Sequence, residues 1–239
     1  MYNLFIALGF LFGVIYVLLY AKKYELKKIR ALLFVGICYA TLYLLMLLLY
    51  FLISGKLAGK NMVRVFAFCP IVVTFFAIGF NIDVKKAFDF LAPVPLLVFA
   101  ITHIGCNWGG CCRSNITVPW GIYNRITQTH LFPNQILETI VAALSTVLIL
   151  YLLHKNKYDM GGKAMGYMLI LYGSQRFLLE FIRDNQKLFW GISELALWAL
   201  ATIIVGLVLN FIVLRKKVAV DTQQTISDNT FIIEKENEK

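Results

Sequence analysis

Apolar residues run along this chain in long uninterrupted blocks, without the two-residue alternation of a half-buried strand or the narrow stripe of a surface helix. A helix crosses a hydrocarbon layer with about 17–25 such residues. That rule predicts spans at Leu4–Ala21, Ala31–Ile53, Val65–Phe80, Phe90–Gly105, Ile136–Leu153, Ala164–Ile182 and Leu188–Leu214. The third and fourth are short, and Pro93 and Pro95 predict a kinked or partly interfacial course for the fourth. The first block lacks a basic leader and a small-residue cleavage site, so it is expected to remain as a helix. The expected fold is an all-α polytopic membrane protein of about seven transmembrane helices over residues 1–217. A polar tail, 218–239, with Glu234, Glu236 and Glu238 near its end, is expected to be disordered in the cytoplasm.

Composition agrees with this pattern. The 239 residues are 60% hydrophobic and 15% charged, whereas soluble proteins are nearer half and a quarter. A soluble globular enzyme, a disordered chain and a secreted disulfide scaffold are excluded. The net charge of +10 changes the picture through its placement. Lys22, Lys23, Lys27, Lys28 and Arg30 fill one link, and Arg215, Lys216 and Lys217 follow the last block. With the N-terminus outside, the inner links carry 13 Lys and Arg against seven outside, among them Arg64, Arg113 and Arg125. The excess predicts an N-out, C-in topology. The polar link from Cys106 to Phe132, between helices 4 and 5, then faces outward. No basic patch is interleaved with stacking aromatics, so no nucleic-acid partner is expected.

Charges inside lipid are costly and mark a protein interior or an aqueous cavity. The sixth block contains Arg176, Glu180 and Arg183, spaced four and three apart on one helical face. One reading is a structural ion pair with the arginine snorkelling to the outer headgroups. The other is a phosphate clamp, in which Glu180 holds a planar guanidinium fork for an anionic lipid headgroup.

Two further groups carry candidate chemistry. Thr102-His103-Ile-Gly105-Cys106-Asn107-Trp-Gly109-Gly110-Cys111-Cys112-Arg113 places three glycines in six positions, as expected for a turn at a cavity edge. His103, Cys106, Cys111 and Cys112 are potential metal ligands, but their spacing matches no standard zinc pattern. A disulfide from Cys106 to one of the later pair, or small buried thiols in a tight re-entrant turn, are the other readings. His130-Leu-Phe-Pro133-Asn134-Gln135-Ile-Leu-Glu138 opens the fifth block. Pro133 and Asn134 are ordinary helix-start residues, whereas Glu138 lies about one turn inside an apolar helix. The sequon at Asn115 is read as chance.

Together and in this order, these segments resemble the prolipoprotein diacylglyceryl transferase family of bacterial inner-membrane enzymes. Members carry a helix beginning near Asp-Phe-x-Ala-Pro and then a Gly-Arg-x-Gly-Asn-Phe-x-Asn-Gly signature. Here Asp89-Phe-Leu-Ala-Pro93 precedes His103-Ile-Gly105-Cys106-Asn107-Trp-Gly109-Gly110. The family's Pro-Trp-Gly is Pro119-Trp120-Gly121, and its His-Pro-Ser-Gln-Leu-Tyr-Glu is Phe132-Pro133-Asn134-Gln135-Ile-Leu-Glu138. Its Tyr-Gly-x-x-Arg-Phe-x-x-Glu-Phe-x-Arg matches Tyr172-Gly173-Ser-Gln-Arg176-Phe177-Leu-Leu-Glu180-Phe181-Ile-Arg183 almost residue for residue. The likeness covers roughly Asp89 to Leu214.

The resemblance implies transfer of a diacylglyceryl group from phosphatidylglycerol to the lipobox cysteine of a preprolipoprotein, in the bacterial plasma membrane, among membrane lipids and without a cofactor or metal. It implies catalytic roles for Arg176 at the phosphate, Glu180 orienting it, and His103 or His130 as phosphate donor or proton acceptor. Gln135, Glu138, Arg183, Gly105, Asn107 and Tyr172 would line the substrate site. The chain departs from the family at a third-helix His-Gly-Gly motif, where it has Phe66-Ala-Phe68-Cys69-Pro70, and where His103 and Cys106 replace the signature's arginine and first asparagine. The alternatives are a non-catalytic lipid-binding protein on the same scaffold, and a thiol redox or metal protein using Cys106, Cys111 and Cys112.

Overall fold

The computed structural model describes residues 2–54, 62–109, 112–124, 127–183 and 192–212. The expected tail at 218–239, the basic residues 215–217, Cys111 and Arg125 lie outside the described residues. Helix α1 spans Tyr2–Tyr20 and continues as a short 3-10 turn, Ala21–Tyr24. After α2 (Lys28–Ser54) come the short α3 (Val63–Phe66) and α4 (Cys69–Gly79), α5 (Val84–Leu91) and α6 (Pro93–Gly109). Strands β1 (Thr117–Asn124) and β2 (Thr129–Leu131) follow, then α7 (Asn134–Lys155), α8 (Lys163–Glu180) and α9 (Glu194–Ile212).

Among the described residues, five helical stretches are long and apolar enough to cross a membrane: Tyr2–Tyr24, Lys28–Leu52, Val84–Gly109, Asn134–Lys155 and Glu194–Ile212. The protein is therefore a helical, multi-pass membrane protein. Its outward faces carry apolar side chains such as Leu52, Phe75 and Leu144, each more than 60% exposed, as lipid contact requires. Of the seven expected spans, the third contracts to the 11 residues of α4. The sixth, α8, carries Lys163, Arg176 and Glu180 and is not one of the five.

The fourth span differs most from expectation. It is not short: α5 and α6 join through Ala92 into one 26-residue stretch, the most deeply buried of the five. Pro93 has no N–H to give, and it stands at the first position of α6, where none is needed. Asp89, on the last turn of α5, is 1% exposed and accepts from the backbone N–H groups of Met160, Gly162 and Ala164 at 2.7, 3.0 and 3.1 Å. One carboxylate thus fixes both the loop before α8 and the first turn of α8, and Gly162 makes the turn with φ +90°.

The glycines at the end of α6 also serve a different purpose from the expected turn. Gly105 and Gly109 are helical and pack against α1, where a Cβ on Gly105 would lie 2.8 Å from the Phe5 Cβ and one on Gly109 3.3 Å from the Tyr2 ring. Gly9 and Gly13 of α1 answer them, against Val98 and Thr102. Two small-xxx-small pairs therefore let α1 and α6 approach closely, a common way for membrane helices to associate.

The expected all-α fold needs one correction. The link between α6 and α7 folds into an antiparallel hairpin pairing Ile122 with Leu131, Tyr123 with His130 and Asn124 with Thr129. Gly121 is required there because a side chain would run into the Leu131 carbonyl. The segment before the hairpin is tied to the end of α8, where the Ser114 hydroxyl donates to the Ile182 carbonyl at 2.8 Å and the Asn115 N–H reaches the same oxygen at 3.0 Å.

Candidate active site

Helices α6, α7 and α8 converge beneath this hairpin. Pro133 precedes α7 and leaves its first two turns to Asn134, Gln135 and Glu138, all buried. Gln175 of α8 donates from Nε2 to the Glu138 carbonyl at 2.8 Å, which sets the register of the two helices. Successive turns of α8 then bring Tyr172, Arg176 and Glu180 to the same side, and Arg183 follows just past its end.

Glu138, with no exposed surface, is the centre of the resulting cluster. Its Oε1 accepts from Arg176 Nη1 at 3.0 Å, Arg183 Nη1 at 2.7 Å and Asn134 Nδ2 at 3.2 Å. Its Oε2 lies 2.8 Å from His103 Nε2. Glu180 is the second anion, 3.7 Å from both Arg176 Nη2 and Arg183 Nε, and its Oε1 accepts from the Ser193 hydroxyl at 2.9 Å. Two guanidiniums and two carboxylates balance, as buried charges must. Two donors are left over: Arg176 Nε and Arg183 Nε are both buried without a hydrogen-bond partner. A charged guanidinium with an unspent N–H is suited to receive an anionic oxygen.

The walls are aromatic. Tyr172 stacks on Phe66 at 3.9 Å between ring centroids and meets Phe99 edge-on at 5.2 Å. Phe99 in turn lies 3.8 Å from the His103 ring and accepts from His103 Nδ1 through its carbonyl at 3.1 Å. Phe66 belongs to the segment that lacks the His-Gly-Gly motif. A cavity of about 400 Å³ opens beside the cluster, lined among others by Asn107, Trp108, Arg113, Ser114, Phe132 and Gln135. Gln135 lines this cavity, and Glu138 stands one helical turn further along α7.

The structure gathers His103, Glu138, Tyr172, Arg176, Glu180 and Arg183, and places Gln135 and Asn107 at the adjoining cavity. It does not bring Gly105 or His130 to them. Gly105 faces Phe5 and Tyr2 on the α1 side of α6. His130 is exposed on β2, with Nδ1 3.0 Å from the Gly121 carbonyl and its ring edge-on to Tyr123. Cys106 and Cys112 are not disulfide-bonded, which removes that pairing. Any bond to Cys111 lies outside the described residues.

Sequence reasoning missed three features. The expected pairing of Arg176 with Glu180 exists, but the shorter contacts of Arg176 and Arg183 are to Glu138 on another helix. Ser193, just before α9, was not singled out. Arg64, counted as a topology charge, is 7% exposed and makes a bidentate pair with Glu194 at 2.8 and 2.9 Å, with the Tyr50 ring 5.1 Å from its guanidinium. A glutamate opening an otherwise apolar last helix was the available signal.

Comparison with known proteins gives a consistent result. The family model for prolipoprotein diacylglyceryl transferase matches residues 1–212. A phosphatidylglycerol–prolipoprotein diacylglyceryl transferase of Clostridium tetani is 28% identical over 166 residues, covering 66% of this chain and 61% of the relative. One of Aliarcobacter butzleri is 31% identical over 144 residues, 57% of this chain and 52% of its own length. A Streptococcus uberis relative of the same name is 28% identical over 136 residues, 54% and 52%. The chain thus spans about half to three-fifths of the curated relatives it matches.

Proposed function

Since the chain belongs to the prolipoprotein diacylglyceryl transferase family, we propose that it moves a diacylglyceryl group from phosphatidylglycerol to the lipobox cysteine thiol of a preprolipoprotein. The observation that carries this reading is the buried Glu138 cluster with Arg176 and Arg183, set beside a cavity large enough for a polar headgroup. The thiol sulfur attacks the glycerol carbon bonded to the phosphate oxygen. A thioether C–S bond forms, the C–O bond breaks, and glycerol phosphate leaves with the bonding electrons.

The chemistry needs charge stabilisation on the leaving phosphate and a destination for the thiol proton. Arg176 supplies the first through its unspent Nε–H, and Arg183 adds a second positive charge beside it. Glu138 and Glu180 hold both guanidiniums in place so that little reorganisation accompanies bond breaking. The departing phosphate monoester, with a second pKa near about 6, is itself able to take the thiol proton. His103 supports the second oxygen of Glu138, Tyr172 packs the apolar wall, and Gln135 and Asn107 contact the headgroup in the cavity.

The same reading sets the hairpin and cavity at the outer face of a bacterial cytoplasmic membrane. The chain then crosses seven times, N-out and C-in, with the α3–α4 segment, residues 63–79, and α8 added to the five longer spans. The basic link of Lys22–Arg30 supports this orientation. The test is expression in cells whose own transferase is depleted. Restored diacylglyceryl thioether on a reporter lipoprotein is expected, with loss in Arg176→Ala. A membrane-inserted chain that leaves the reporter unmodified overturns the proposal.

A further inference from the structure

We propose that His103, Cys106 and Cys112 form a binding site for one thiophilic divalent metal ion of the zinc class. Their donor atoms, one imidazole nitrogen and two thiol sulfurs, all lie within 4.8 Å of one another. His103 and Cys106 are three apart on one face of α6 and both are buried. Cys112 returns to them after the helix ends. Its backbone has φ 60°, a left-handed conformation uncommon for a side-chain-bearing residue. Its carbonyl accepts from Asn134 Nδ2 at 3.3 Å, a contact that helps hold the returning segment beside α7.

The imidazole is already oriented as a ligand. His103 Nδ1 donates to the Phe99 carbonyl at 3.1 Å, so Nε2 faces Glu138 Oε2 and Cys112; the proton that Nε2 shares with Glu138 in the metal-free site leaves when an ion takes its lone pair. Metal-bound histidines commonly donate from their second nitrogen in this way. Cys112 Sγ is 4.0 Å from Nε2 and Glu138 Oε2 is 2.8 Å from it. Around a tetrahedral zinc, sulfur and nitrogen ligands stand about 3.5 Å apart, and nitrogen and oxygen about 3.3 Å. The His103–Cys112 and His103–Glu138 separations need shifts of about half an ångström, and a donor pair at the 4.8 Å limit one of about an ångström, to place the three ligands on one ion with Glu138 Oε2 beside it.

Charge favours occupancy. Two thiolates and a carboxylate would surround a divalent ion, and Arg176 and Arg183 balance the remaining negative charge through the other oxygen of Glu138. Two thiols and an imidazole select zinc-like ions over magnesium or calcium, which prefer oxygen ligands. Cys112 is the least buried of the three and gives an ion its access.

The probe is Co²⁺ added to the full-length, reduced protein in detergent, alongside elemental analysis of the protein as purified. Stoichiometric zinc and a thiolate-to-cobalt charge-transfer band are expected. Cys106→Ser, Cys112→Ser and His103→Ala should each weaken Co²⁺ binding about tenfold or more, whereas Cys38→Ala, on α2, leaves it unchanged. The wild-type titration alone decides the matter should a variant fail to fold. A reduced wild-type protein that holds no zinc and gives no cobalt band overturns the proposal. So does an unchanged band in both cysteine variants, or a Cys106–Cys112 disulfide in protein alkylated directly from cells. Because the readout is metal content and absorbance, a failure of lipid transfer leaves this result intact.

Discussion

Arg183 donates to Glu138 at 2.7 Å across 45 residues of sequence, and the bond ties the end of α8 to the second turn of α7. Arg176 uses the same oxygen, so one carboxylate holds two cations. Replacing Glu138 by glutamine keeps the shape and removes the charge. The two guanidiniums then lose their main counter-ion in a buried site, at a cost of about 3–5 kcal/mol. We expect a lower thermal unfolding midpoint in detergent and a fall in lipidation of about a hundredfold. Near-normal lipidation in E138Q would show that the cluster is not where transfer occurs.

Arg176→Lys separates charge from geometry. The guanidinium reaches Glu138 with Nη1 and approaches Glu180 with Nη2 while Nε remains available, which an ammonium on a single stem does not reproduce. Transfer should drop at least about tenfold with protein abundance nearly unchanged. Quantitative mass spectrometry of a reporter lipoprotein measures it.

His130→Ala should behave oppositely to His103→Ala. His130 is exposed on β2 and bonds only the hairpin backbone among its described hydrogen bonds, whereas His103 touches Glu138. The same reporter should show less than about a twofold change for His130→Ala and a large loss for His103→Ala.

Packing of α1 on α6 gives a prediction independent of chemistry. A methyl at Gly105 would stand 2.8 Å from the Phe5 Cβ and 3.1 Å from the Tyr2 carbonyl. Gly105→Ala should therefore cost about 1–3 kcal/mol without touching a charged group, seen as a lower unfolding midpoint. Gly36→Ala, where a Cβ meets nothing within 4 Å, is the control and should leave the midpoint unchanged or slightly raised.

These outcomes also show what the sequence contained. The long spans α1, α2, α7 and α9 were legible because crossing lipid imposes length and composition on a local stretch. Arg176 and Glu180 were legible because helical spacing is local too. The centrality of Glu138 was not, since its partners arrive from 38 and 45 residues away and only folding brings them together. Gly105 misled for a related reason: a missing side chain suits a turn and a helix crossing equally, and the Phe5 opposite it decides which. Arg64 looked like a surface charge because its counter-ion lies 130 residues on.

Asp89 caps α8 at the end of the helix opposite the Arg176 cluster, and Arg176 stands twelve residues beyond Ala164, the last amide it holds. At 1.5 Å per residue that is about 18 Å of rigid rod. The proposed headgroup site therefore has its depth gauged from the opposite end of α8. One alanine inserted after Met168 would turn Arg176 by about 100° and raise it about 1.5 Å, misaligning the site while leaving every residue of it in place.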